Sequence, residues 1–134
     1  MKVSLHHAHL FASNLGESIQ FYQDMFGAKV LFDLKMAGAR NVMISIGSSK
    51  INFYDQLPKD QGRGAIHHLG IETDDLEGLV SHMETKGFQF IKEIKNFGPL
   101  KYVMVAAPDN VLLELFEVVK GKLSDDQYKL ISTL

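Results

Sequence analysis

Apolar and polar positions run through this chain in two similar blocks. Residues 3–11 alternate with period two, which predicts a strand. The alternation puts Leu5, His7, His9 and Phe11 on one face and His6, Ala8 and Leu10 on the other. A helix follows, with Asn14 as N-cap, Glu17 placed for a capping box, and Leu15, Ile19, Tyr22 and Phe26 as its apolar stripe. Gly27 suits the left-handed position that ends a helix. Three strands are then expected near 29–35, 41–46 and 50–54, separated by Ala37-Gly38-Ala39 and Gly47-Ser48-Ser49. Residues 55–64 read as a polar connector containing Pro58, Gly62 and Gly64.

The pattern then begins again. A strand over 65–72 leads to a helix capped by Asp74 or Asp75, which runs to about Lys86 and stops at Gly87. Strands are expected near 88–94, 101–106 and 111–119, with turns at Asn96-Phe97-Gly98-Pro99 and Pro108-Asp109-Asn110. Within 122–133, Ser124 opens a last amphipathic helix. The two blocks stand in register: His7 and His68, Asn14 and Asp75, and Leu15 and Leu76 are each 61 residues apart, and Gly27 and Gly87 are 60 apart. The expected fold is α+β. A single domain over 1–134 would hold two tandem βαβββ modules, 1–55 and 64–119, whose apolar surfaces pack into one curved mixed sheet with a concave cup.

Composition narrows the chemistry. The 134 residues suit one hydrophobic core, and 46% apolar with 22% charged residues is an ordinary globular balance. A net charge of −2 argues against a nucleic-acid footprint. The sequence offers neither an apolar run long enough for a membrane span nor the core of a signal peptide at Met1-Lys2-Val3-Ser4, so a cytoplasmic location is expected. Cysteine is absent, so any metal site must use His, Asp, Glu, Asn or Gln. Arg40, Arg63 and Lys101 read as solvated surface charges rather than an anion-binding cluster.

His7, His68 and Glu114 are the candidate metal ligands. Each falls in a strand of apolar residues, and the two histidines occupy equivalent positions of the repeat. Taken singly, a histidine in such a strand is more often structural, and a lone glutamate more often an edge-strand ion pair. Two imidazoles and a carboxylate suit zinc, nickel, cobalt, manganese or iron, and three protein ligands leave a position open for water or substrate. By parity Leu112, Glu114 and Phe116 share a face, as do His68, Gly70 and Glu72. Glu114 stands between Leu113 and Leu115, where an isolated ionised carboxylate needs a cation or hydrogen bonds. His9 is a spare ligand, a ligand-supporting group, an acid–base residue or a rim histidine, and Glu72 and Tyr54 are further candidates to line the cup. His6 and His67 point the other way by parity and read as structural.

These residues resemble the vicinal oxygen chelate superfamily, which includes glyoxalase I, bleomycin-resistance proteins, methylmalonyl-CoA epimerase and extradiol dioxygenases. The resemblance covers about residues 4–119. It rests on His7 ahead of Asn14-Leu15-Gly16-Glu17-Ser18-Ile19-Gln20-Phe21-Tyr22, on His68 through Leu76, and on Pro108-Asp109-Asn110-Val111-Leu112-Leu113-Glu114-Leu115. It implies a cup in which one divalent metal chelates vicinal oxygens of a small-molecule substrate and stabilises an enediolate. It also implies a homodimer. Asn52 stands where glyoxalase I has a second metal-binding glutamate, and an amide there is similar to the epimerase. Met36 falls near the epimerase's second acid–base glutamate, and Val105 near the tyrosine of the dioxygenases.

The resemblance implies a metal-dependent lyase or isomerase. Glu114 would be both ligand and proton carrier, His9 or Glu72 the second acid–base group, Asn52 a possible fourth ligand, and Phe11, Tyr54, Leu112 and Phe116 the pocket wall. The alternatives are an iron(II) dioxygenase and a non-enzymatic binding protein of the bleomycin-resistance kind.

Overall fold

The computed structural model describes residues 1–2, 4–60 and 65–134. The expected Val3 strand start, the connector glycines Gly62 and Gly64, and Arg63 lie outside the described residues. The chain divides into two compact units, Met1–Gly62 and Arg63–Leu134. Each is a four-stranded mixed sheet with a helix between its first and second strands.

In the first unit, β1 (Ala8–Phe11), α1 (Leu15–Phe26), β2 (Lys29–Met36), β3 (Ala39–Ile46) and β4 (Ser49–Tyr54) form a sheet ordered β1-β4-β3-β2. The second unit has β5 (Leu69–Glu72), α2 (Leu76–Thr85), β6 (Lys95–Asn96), β7 (Leu100–Ala107) and β8 (Val111–Val118), ordered β5-β8-β7-β6, and ends in α3 (Asp125–Ile131). The strand orders are the same, and in both units the first strand pairs parallel with the fourth. The repeat read from residue spacing is thus a repeat of topology, and the fold is α+β with two tandem βαβββ modules.

The helix boundaries follow from their caps. The Asn14 side chain accepts the Glu17 N–H, and Asp75 accepts that of Gly78, each satisfying an orphan donor of the first turn. Gly27 closes α1 at φ 65, a left-handed conformation glycine adopts without Cβ strain. Ser124 and Gln127 make a reciprocal capping box at α3. Helix α1 lays Leu15, Tyr22 and Met25 on a face of sheet one formed by Val42, Ile44, Ile51 and Phe53, with Tyr22 and Phe53 rings 5.4 Å apart. The second core holds Leu76 and Met83 of α2 with Val103, Val105, Leu113 and Leu115. Glu117 ties α2 to its sheet: its carboxylate accepts the Leu76 N–H at 2.9 Å and faces Lys101 Nζ at 3.1 Å.

Three expectations change. The first strand of each module is shorter than its alternation suggests, starting at Ala8 rather than residue 3 and at Leu69 rather than residue 65. Among the described residues both are edge strands of their sheets, and His6, His7, His67 and His68 precede them outside the ladder. The expected strand at 88–94 is irregular, and only Lys95–Asn96 pairs with β7. Phe88 and Phe90 pack on each other with centroids 4.9 Å apart, while Ile91 is fully exposed, so no face of that segment is continuously buried. Lys101 is not a solvated charge: its side chain is only 17% exposed and pairs with Glu77 and Glu117. Arg40 is a surface charge, held bidentately by Asp33.

Candidate metal centre

Strand register places the chemistry. In the first module His9 stands opposite Asn52 and Phe11 opposite Tyr54. In the second, Gly70 stands opposite Glu114 and Glu72 opposite Phe116. Asn52 therefore holds in module one the position that Glu114 holds in module two, and His7 and His68 each precede the matched strands by one residue. In each unit these positions lie on the sheet face away from its helix.

The second unit brings two of the candidate ligands together. His68 Nε2 lies 3.5 Å from Glu114 Oε2, with side chains 32% and 28% exposed. That is long for a hydrogen bond. It is close to the separation of about 3.0–3.4 Å expected for a nitrogen and an oxygen that share one divalent ion at ordinary bond lengths. Leu113 and Leu115, the apolar neighbours of Glu114, are fully buried on the opposite face. Glu114 itself is therefore not in an apolar pocket; it lies on the open face with Leu112 and Phe116. An added Cβ at Gly70 would lie 3.2 Å from the Phe116 ring, so the missing side chain lets that ring lie beside Glu114.

In the first unit a buried amide relay surrounds Asn52. Asn41, 2% exposed, donates from Nδ2 to the carbonyls of Met36 and Ala39, which leaves its Oδ1 as an acceptor. Asn52 Nδ2 donates to that oxygen at 3.0 Å and lies 3.2 Å from His9 Nε2. The orientation of the Asn52 amide is thereby set, and its Oδ1 is buried with no hydrogen-bond partner among the described residues. A buried acceptor without a donor is costly, and a neutral oxygen so placed fits a cation or a substrate donor. His9 stacks on Tyr54 with centroids 4.0 Å apart, and Phe11 lies 6.2 Å from the same ring. Burial holds the His9 pKa below the ordinary imidazole value, with the neighbouring His7 adding to the effect. His7 lies beside His9, ring centroids 5.9 Å apart.

Glu72 shares the Glu114 face but is engaged elsewhere. Its Oε2 accepts hydrogen bonds from the backbone N–H and the hydroxyl of Thr133, which anchors the chain end after α3. Burial would raise the Glu72 pKa, but hydrogen bonds from Ser132 and Thr133 outweigh it and the net shift is downward. A carboxyl whose folded-state pKa is depressed stabilises this docking above its unfolded pKa and loses that contribution as pH falls through the folded value. The Thr133 amide proton signal is expected to move on acidification with a midpoint below the ordinary glutamate value, and Glu72→Gln should release the chain end at neutral pH.

Among the described residues, no three histidine or carboxylate side chains converge on one point. The second unit contributes the pair His68 and Glu114, and the first contributes His7 beside His9 and Asn52. Sequence reasoning missed Asn41, whose signal was a polar residue opening the apolar run Asn41-Val42-Met43-Ile44. It also missed Thr133, for which no local signal exists. His6 and His67, expected to point away, instead contact the candidate ligands: His6 Nδ1 lies 2.9 Å from His7 Nδ1, and His67 Nδ1 lies 2.8 Å from His68 Nδ1.

No described helix is long and apolar enough to cross a membrane. A mitochondrial methylmalonyl-CoA epimerase from Dictyostelium discoideum is 27% identical over 128 residues, covering 84% of this chain and 77% of that protein. Among solved structures, the fosfomycin resistance protein FosX from Listeria monocytogenes, in a complex with Mn(II), has a TM-score of 0.75 at 16% identity, covering 91% of this chain and 97% of that one. A glyoxylase/bleomycin resistance protein/dioxygenase domain from Frankia has a TM-score of 0.73 at 17% identity, covering 90% and 96%. A glyoxalase family protein from Enterococcus faecalis has a TM-score of 0.71 at 22% identity, covering 85% and 97%. These structural likenesses establish the fold. Residues 4–115 match the family described as the Glyoxalase/Bleomycin resistance protein/Dioxygenase superfamily. With that match covering most of its length, the chain belongs to the glyoxalase/bleomycin resistance protein/dioxygenase superfamily.

Proposed function

We propose that this protein is a metal-dependent isomerase or lyase that moves a proton at a carbon next to a carbonyl in a small metabolite. The observation that carries this reading is the approach of His68 Nε2 to Glu114 Oε2 at 3.5 Å on an open sheet face. The matching position of Asn52 in the first module, with a buried oxygen that has no hydrogen-bond partner among the described residues, supports it. So does the likeness to methylmalonyl-CoA epimerase.

The ligand set is His7, His68 and Glu114, with Asn52 Oδ1 in the fourth position. A divalent ion held there supplies Lewis-acid polarisation of the substrate carbonyl, which lowers the pKa of the adjacent C–H. Glu114 is also the proton carrier, since a carboxylate on the open face reaches substrate as well as metal. His9 is the second acid–base group, held by Asn52 and Tyr54. Glu72 is less suited, because the Oε2 that would take a proton is already bonded by Thr133. Phe11 and Tyr54 in the first module, and Leu112 and Phe116 in the second, offer apolar surface suited to a small organic acid or ester rather than a nucleic acid. The working form is a homodimer in the cytoplasm, and light scattering should return twice the chain mass of 15.0 kDa.

Metal analysis of protein purified without chelators tests the reading. About one zinc, nickel, cobalt or manganese ion per site is expected, lost in His68→Ala. Solvent deuterium should enter the substrate carbon next to the carbonyl. Iron(II) with oxygen-dependent turnover would instead identify a dioxygenase. A wild-type protein that binds no metal would sink the proposal in favour of simple ligand sequestration.

A further inference from the structure

Resting on the metal reading above, we propose that His6 and His67 are positioning residues, each holding the neighbouring ligand histidine in the tautomer and ring orientation that metal binding needs. In a regular strand, consecutive side chains leave on opposite faces, so adjacent histidines would not meet. Here both pairs precede their strands, and the rings turn edge to face. Their Nδ1 atoms are 2.9 Å apart in the first module and 2.8 Å in the second, with ring planes at 88° and 81°. The same device therefore occurs twice, at matched positions of the repeat.

Two Nδ1 atoms this close need one proton between them, so one ring donates and the other accepts. Nδ1 of each ligand histidine is taken up by its neighbour, which leaves Nε2 as the metal-binding nitrogen; in the second module Nε2 is the atom facing Glu114. A neutral imidazole that binds through Nε2 carries its proton on Nδ1. His7 and His68 are then the donors, and His6 and His67 accept at Nδ1 and keep their own proton at Nε2. Such an outer partner fixes ring orientation and raises ligand basicity. Both outer histidines are exposed, so removing them should leave the fold intact.

Zinc titration against a competing chelator tests this in the full chain. His6→Ala and His67→Ala are each expected to weaken zinc binding by about 10–100-fold, and the double variant by more than either single change but not by their simple product, because both ligand histidines serve the same ion. His67→Asn, which places an oxygen near the position of the lost Nδ1, should recover most of the affinity. In the zinc-loaded protein the His68 Nδ1–H proton should be visible by NMR, and it should vanish into solvent exchange in His67→Ala. Unchanged affinity and an unchanged ring signal would overturn the positioning role while leaving the metal reading in place. Loss in the alanine variant without recovery in the asparagine variant would overturn it too, by pointing to bulk packing. Absence of zinc binding by the wild type would overturn both.

Discussion

Replacing Glu114 with alanine is expected to weaken divalent-metal binding by more than about 100-fold, since loss of an outer partner alone costs about 10–100-fold and Glu114 is a direct ligand in the proposed set. The loss would be local. The Glu114 side chain lies on the open face of β8, whereas Leu113 and Leu115 on either side are fully buried on the other face. Thermal unfolding without metal should thus stay close to wild type. Glu114→Gln separates the two roles proposed for this residue. The amide oxygen still ligates, weakly, as Asn52 would in the first module, but an amide cannot carry a proton. Glu114→Gln should therefore keep more metal affinity than Glu114→Ala while losing deuterium exchange into substrate as completely. Equal exchange in the glutamine variant and the wild type would remove Glu114 as the proton carrier and leave His9 as the candidate.

Leu115→Ala is expected to destabilise the protein by about 2–5 kcal/mol, the range for deleting a large aliphatic side chain from a packed core. Leu115 is fully buried in β8, paired with Ile71 of β5 on one side and Val103 of β7 on the other. The cavity would open between three strands and beneath α2, where relaxation is limited by ladder bonds on both sides. The same strand also carries Glu114; its register with β5 places Gly70 opposite that carboxylate, and His68, just before β5, lies 3.5 Å from it. Core loss should therefore reduce metal affinity as well, by populating states in which the pair is separated. Leu112→Ala, on the partly open face of the same strand, should cost about 1 kcal/mol or less. Denaturant titrations of the two variants provide the comparison, and similar losses for both would contradict the assignment of the buried face.

Much of this architecture is legible in the chain itself. Helix stripes, the caps Asn14, Asp75 and Ser124, and turns at Gly27 and Pro108-Asp109-Asn110 are local signals, because each depends on a few neighbouring residues and their backbone preferences. The spacing of 61 residues exposes the duplication, since equivalent positions of a repeat face equivalent environments. Period-two parity places Leu112, Glu114 and Phe116 together, because β8 is a central strand with ladder bonds on both sides that enforce the pleat.

Where no ladder enforces the pleat, parity fails. It turns His6 and His67 away from His7 and His68, but the strands begin only after them, and the rings are free to meet. Long-range partners are equally hidden. Asn41 orienting Asn52, Thr133 occupying Glu72, and Lys101 bridging Glu77 and Glu117 all depend on which strands lie side by side, which residue type alone does not encode. The sequence by itself thus determined the two modules and the histidines, amide and carboxylate offered for a metal. Only the tertiary structure decided that Asn52 and Glu114 occupy matched positions, that Glu114 lies on an open face rather than in an apolar pocket, and that the adjacent histidines of each pair meet through their Nδ1 atoms. Register and strand ends arise from pairing between distant segments, and no local pattern records them.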